Sequence, residues 1–214
     1  MPQMVRVHNM FVSSDGYAAG EGQSLERPFG HADPMVLGGW AFATASWPNR
    51  TDGAGSRGLD DYLVRDYHRN IGAEIMGRNK FSPQRGPWAD EEWKGWWGDE
   101  PPFHTPVFVM THHERPSFTL SDTTFHFVNG NPAGVLALAL EAADGKDVRL
   151  GGGADTVRQF LEAGLIDTLH VAVSPVELGA GSRLWHSPDD LLDRYHRDIV
   201  PSPSGVVHHL FWRR

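Results

Sequence analysis

Cysteine is absent from this chain of 214 residues, which excludes disulfides, thiolate metal sites and thiol catalysis together. No apolar run approaches the ~20 residues that cross a bilayer. The opening MPQMVRVHN lacks the basic-then-apolar pattern of a leader and enters strand-like sequence directly. There is no basic tract, and a formal net charge of −8 argues against a nucleic-acid partner. These absences predict a cytoplasmic protein with no membrane and no nucleic-acid role. With 40% apolar and 21% charged residues the composition is that of a soluble domain, and residues 1–214 are read as one domain. Tryptophan is abundant: of eight, Trp88, Trp93, Trp96 and Trp97 lie close together, and Trp40 and Trp47 form a second group.

Local patterns place the elements. Strands are expected at Met4–Val12, Ala73–Met76, Pro106–Thr111, Thr123–Val128, Asp147–Leu150, Asp167–Pro175 and Gly205–Trp212. Helical spacing of Leu59, Tyr62, Leu63, Tyr67 and Ile71 predicts a helix over Leu59–Ile71, ended by Gly72. Further helices are expected at Arg78–Phe81, from Asn131-Pro132 to about Ala143, and at Asp155–Gly164. Long loops are read at about 17–56 and 84–105, the second carrying the tryptophan cluster. Alternating strands and helices call for an α/β layered fold with a mainly parallel sheet. The last two strands have no convincing helix between them, so an antiparallel C-terminal edge pair is expected.

Two segments carry anion-binding chemistry. Leu150-Gly151-Gly152-Gly153-Ala154 joins a strand to a helix; its glycines bare backbone N–H groups and the helix start adds partial positive charge. The plain alternative is a tight turn in which glycine relieves strain. The loop does not read as an ordinary dinucleotide fingerprint: it comes late in the chain, and no carboxylate ends the next strand. Met76-Gly77-Arg78-Asn79-Lys80 offers a guanidinium fork and a point charge, or else two solvated cations. Thr111 and His112 follow a buried strand, where ligand-lining residues of open sheets sit. The His112-His113 and His208-His209 pairs lack further ligands at useful spacing, and no metal is expected.

In order along the chain, Val7 with Ser13-Ser14-Asp15-Gly16, Met76-Gly77-Arg78, Val109-Met110-Thr111, Gly151–Ala154, Ala163-Gly164-Leu165-Ile166-Asp167 and Pro175–Leu184 resemble the dihydrofolate-reductase-like superfamily. The sequence looks closest to the C-terminal reductase domain of the bacterial riboflavin-pathway deaminase-reductase and its stand-alone relatives. The resemblance spans almost the whole chain. It implies a three-layer α/β sandwich, a homodimer joined through the C-terminal edge strand or the tryptophan segment, and NADPH as cofactor. It further implies hydride transfer to a C=N or C=O group of a small heterocyclic or sugar-linked substrate. Carried over by position, Gly151, Gly152, Gly153 and Ala154 would hold the pyrophosphate. Gly77 and Arg78 would meet the adenosine 2′-phosphate with Thr111 and His112, and Lys80 stands where a threonine is usual. Asp15 would sit beside the nicotinamide.

A carboxylate on the first helix is sought among Asp60, Asp61 and Asp66. Asp66 falls on the apolar face, so Asp15 and Asp66 are the candidate catalytic acids; a salt bridge to a nearby arginine is the plainer reading of Asp66. Trp40 and Phe42, with Trp88, Trp93, Trp96 and Trp97, would roof the substrate, or else form a local core or an interface. The missing unambiguous acid leaves a non-catalytic nucleotide-binding protein as a further reading, and the tryptophan patch leaves a dimeric interaction protein on the same fold.

Overall fold

Valine- and isoleucine-rich segments too short for helices pair into one sheet of nine strands. The structure, a computed structural model, describes residues 2–48, 50 and 52–214. The strands are β1 (Val5–Ser13), β2 (Tyr17–Ala19), β3 (Ile71–Gly77), β4 (Val107–Met110), β5 (Phe118–Leu120), β6 (Thr123–Val128), β7 (Asp147–Leu150), β8 (Thr168–Ser174), β9 (Ser182–Arg183), β10 (Tyr195–Pro201) and β11 (Val207–Arg213). The helices are α1 (Pro34–Phe42), α2 (Leu59–Val64), α3 (Arg78–Phe81), α4 (Pro132–Ala142) and α5 (Ala154–Glu162). The sheet runs β10-β11-β8-β1-β7-β3-β4-β6-β5, and β2 pairs with β9 apart from it. From β8 to β6 all neighbours are parallel, whereas β11 lies antiparallel to β8 and β10 to β11. The mainly parallel sheet with an antiparallel C-terminal edge is thus as the sequence predicts. Among the described residues, no helix is long and apolar enough to cross a membrane.

Alternation along the strands divides the side chains between two faces. Val7, Ile75, Val148 and Leu150 face α4 and α5 and join Val135, Val157 and Phe160 in the main core. On the other face lie two smaller clusters. One packs Trp40 of α1 and Val64 of α2 over Ala172 of β8. The other gathers Phe81, Phe103, Phe125 and Phe127, with Trp88, Trp93 and Trp97 against them.

Several elements differ from expectation. The first long loop contains α1, started by Asp33, whose carboxylate accepts from Met35 N at 2.8 Å. The helix expected over Leu59–Ile71 is α2 followed by a single 3₁₀ turn, Arg65–His68, and Ile71 already begins β3. Tyr62 points outward, and Asn70 takes φ +58° to reverse the chain. Gly72 is a strand residue, because a Cβ there would strike the carbonyl of Ala143 at the end of α4. β10 occupies part of the connection read as loop, and β5 pairs at the far edge.

Candidate active site

The parallel strands β3, β4, β6 and β7 end on one edge of the sheet, and the residues that follow them share a cavity of about 780 Å³. Glycine fixes how closely they meet. Gly77 N donates to Gly152 O at 2.8 Å, so the two anion-type segments touch through main chain. A Cβ at Gly77 would overlap the Thr156 hydroxyl, and one at Gly151 would overlap the Glu74 carboxylate. Gly152 holds φ +105°, a region that favours glycine, and space around the Cβ positions of Gly152 and Gly153 is open. Gly153 caps α5 without a side chain, so the first N–H groups of that helix have no side-chain partner.

Arg78 lies flat on Trp88, its guanidinium carbon 3.4 Å from the ring centre. Nη1 donates to Gly86 O at 3.0 Å and to Thr111 Oγ1 at 3.3 Å. Nε and Nη2 are buried without a partner. Thr111 in turn accepts from His113 N at 3.1 Å, and exposed His112 lines the cavity beside it.

Next to the glycine turn, the cavity wall is built on the second face of the sheet. β1 carries a bulge between Val7 and Met10 that brings His8 and Asn9 to the wall. In the β3–β7 register Glu74 sits directly across from Arg149, and the two pair side chain to side chain. Lys80 completes this buried group, with Nζ 3.3 Å from Glu74 Oε1 and 2.8 Å from Gly151 O. Tyr67 stacks on the Arg149 guanidinium, 3.5 Å from ring centre to carbon. Burial pushes the Tyr67 phenol up to about 12. Burial, then the charges of Arg6 and Arg149, push His8 down to about 3. Phe11, Phe29, Phe42, Trp47, Trp96 and Trp97 supply the apolar wall.

This placement corrects four expectations. Asp66 is not a cavity acid: it is half-exposed and forms the plainer expected salt bridge, 3.6 Å from Arg69. Asp15 fixes the Ser13–Gly16 turn: it accepts from Ser13 Oγ at 2.5 Å, Leu178 N at 3.1 Å and Gly179 N at 2.7 Å, and is absent from the wall. Trp40 is buried edge-on against His170 and His208 and does not line the cavity. Lys80 turns its ammonium inward to Glu74 and Gly151, not out toward the Arg78 fork. Within the tryptophan segment, Trp88, Trp93 and Trp96 donate to the carbonyls of His113, Phe81 and Lys80, which sews the segment onto α3 and the loop after β4. Trp88, Trp93 and Trp97 therefore pack in a local core, and Trp96 and Trp97 line the cavity.

A second polar chain runs beside the cavity. Asn9 presents both its N–H, at 3.3 Å, and its Oδ1, at 3.1 Å, to His170 Nδ1. His170 Nε2–H then donates to His208 Nδ1 at 2.9 Å, and His208 Nε2–H to Asp60 at 2.9 Å. Burial first, then neighbouring His208 and His8, hold His170 well below its ordinary value. In the unfolded chain His8 and His170 titrate near 6.5, and folded they stay neutral to lower pH. Stability is therefore full above pH 6.5 and lost as pH falls, because the unfolded chain binds protons that the folded one refuses. From about pH 7.5 to 5.5, through the unfolded value of 6.5, each such histidine removes about 1.4 kcal/mol in all. Urea unfolding over that range is expected to show this loss, smaller by about 1.4 kcal/mol in His8→Gln. An equal loss in both proteins would mean that folded His8 protonates freely.

Residues 6–194 match the family described as the RibD C-terminal domain. The chain belongs to that family. A curated relative is the uncharacterized protein YwjB of Bacillus subtilis, 24% identical over 145 residues, 65% of this chain and 70% of that one. Among solved structures, a putative riboflavin biosynthesis protein of Shewanella superposes with a TM-score of 0.55 at 20% identity, over 100% of this chain and 99% of the other. Dihydrofolate reductase of Enterococcus faecalis, solved with NADP(H), superposes with a TM-score of 0.52 at 12% identity, over 99% and 96%. The fold of this RibD C-terminal domain member is thus dihydrofolate-reductase-like.

Proposed function

We propose that the chain is an NADPH-dependent reductase that transfers hydride to a C=N or C=O group of a small heterocyclic or sugar-linked molecule. Membership of the RibD C-terminal domain family and the dihydrofolate-reductase-like fold support a reductase. The observation that carries the reading is the junction of Gly77-Arg78 with the Gly151–Ala154 turn at one cavity. The residues fit the cofactor. Arg78 has two buried donors without partners, suited to a 2′-phosphate. Gly152, Gly153 and Ala154 offer open main chain before an uncapped helix start, suited to a pyrophosphate. Thr111 holds the Arg78 fork in place, and His112 stands next to it.

When bound, the reduced nicotinamide supplies the hydride; the protein supplies position, exclusion of water and a proton source. Phe42, Trp47, Trp96 and Trp97 form an apolar wall against which a flat ring can stack, with Phe11 and Phe29 beside them. The reading includes a cytoplasmic homodimer. The edge strand β10, with Ile199 50% exposed, supports pairing through that edge. Titration of the protein's tryptophan fluorescence with NADPH tests the proposal: saturable quenching in the micromolar range is expected, and no change at millimolar NADPH would refute it.

A further inference from the structure

Lys80 is positioned for more than a structural ion pair. An ammonium carries three N–H donors. Two are used, on Gly151 O at 2.8 Å and Glu74 Oε1 at 3.3 Å. The side chain keeps 28% of its surface exposed, and Lys80 lines the cavity. The Glu74 carboxylate is fully buried and shared with Arg149, so two cations divide one anion and the cluster keeps an excess of positive charge. Its surroundings do not cancel that excess. Phe103 lies 5.9 Å from Nζ, Tyr67 covers Arg149, and Arg6 is occupied with Asp147. His8 is held neutral, as is His68, pushed down to about 4 by burial and then by Arg149.

Carboxylates are missing from the place where an acid was sought. Asp60 is bound to His208, Asp61 to Ser46 N and Arg65, and Asp66 to Arg69. Among the described residues that line the cavity, Asp155 is the one carboxylate, and it is tied to Arg158 beside the glycine turn.

Building on the reductase reading above, we propose that Lys80 is a catalytic residue whose third N–H faces the hydride acceptor and protonates it. As hydride adds to the carbon of a C=N or C=O bond, the π electron pair moves to nitrogen or oxygen. That atom takes the proton from Lys80 Nζ. Lys80 is left as a neutral amine and regains its proton from water. Glu74 and Gly151 O aim the ammonium and hold it through the step. Burial lowers the Lys80 pKa, while the Glu74 carboxylate opposes the shift, so the group is a readier acid than a solvated lysine. The assignment takes Lys80 away from the cofactor phosphates.

The chain has three lysines, Lys80, Lys94 and Lys146, and the last two are exposed. Reductive ¹³C-methylation of the cofactor-free protein therefore gives three side-chain signals. The signal that disappears in Lys80→Met is expected to titrate at lower pH than the other two. Lys80→Met is expected to bind NADPH within about threefold of wild type, while reduction of a dihydropterin or pyrimidinone acceptor falls by roughly 100-fold or more. Lys80→Arg keeps the charge without a transferable proton. It should stay slow, and the loss of rate at alkaline pH that marks the lysine should vanish. Lys80 titrating together with Lys94 and Lys146 would overturn the proposal, as would a tenfold weaker NADPH affinity in Lys80→Met or an unchanged rate. Failure of the wild-type protein to bind NADPH is a separate result, which sinks the reductase reading itself.

Discussion

Arg78→Ala is expected to weaken NADPH binding by about 10- to 150-fold, the equivalent of the ~1.5–3 kcal/mol carried by hydrogen bonds to a charged group. NADH, which lacks the 2′-phosphate, should change by less than about threefold by the same reasoning. The difference rests on how Arg78 is held. Trp88 fixes the plane of the guanidinium, and Gly86 O and Thr111 Oγ1 occupy Nη1. That leaves Nε and Nη2 as a planar pair of donors. A planar fork suits a phosphate, so Arg78→Lys should recover the charge but not the full discrimination. Trp88 touches the guanidinium, and Trp47, Trp96 and Trp97 line the same cavity, so quenching of tryptophan fluorescence reports occupancy of the cavity. Equal weakening of both dinucleotides would place Arg78 outside the 2′-phosphate site.

The junction of the two glycine segments was legible in the sequence because glycine writes geometry locally. Gly77 and the Gly151–Gly153 run mark points where main chain must approach main chain or a ligand, and no distant residue is needed to see them. The charged cluster of Glu74, Arg149 and Lys80 was not legible. Glu74 and Arg149 meet only because β3 and β7 pair in one register, and they stand 75 positions apart in the chain. Arg149 inside a run that reads as a buried strand was the one available signal, since a buried guanidinium requires a partner. Asp66 was misplaced for a related reason. Tyr62, Tyr67 and Ile71 imitate one helical face, yet Tyr62 is solvent-exposed, Tyr67 covers Arg149 and Ile71 belongs to a strand. Three different tertiary demands produced one apparent period. α1 was missed although Asp33-Pro34 is a good helix start, because the surrounding glycine and proline masked it. β10 lies at the sheet edge with most of its side chains outward, so little apolar pattern announces it.

Glu74→Gln is expected to be the most destabilising single change at the site. It leaves the Arg149 guanidinium buried with the Tyr67 carbonyl at 2.9 Å and no anion, and removing one partner of a buried pair costs about 3–5 kcal/mol. At ~2–4 °C per kcal/mol for a chain of this size, the melting temperature should fall by roughly 6–20 °C. The direction of the Arg149 shift agrees: despite burial, Glu74 holds its pKa above the ordinary value, so the guanidinium stays charged in the fold. Losing one ion and losing the whole group are different experiments. A buried ion pair recovers little more than its own desolvation, and replacement by apolar side chains of similar volume is often neutral or stabilising. The combined variant Glu74→Leu, Lys80→Met, Arg149→Met should therefore regain most of the stability that Glu74→Gln loses, as read by urea unfolding. If it does, stability does not explain the cluster, and its reason lies in the charge it presents to the cavity. If the combined variant is as unstable as Glu74→Gln, the ions hold β3, β7 and α3 together, and their contribution to the cavity is secondary.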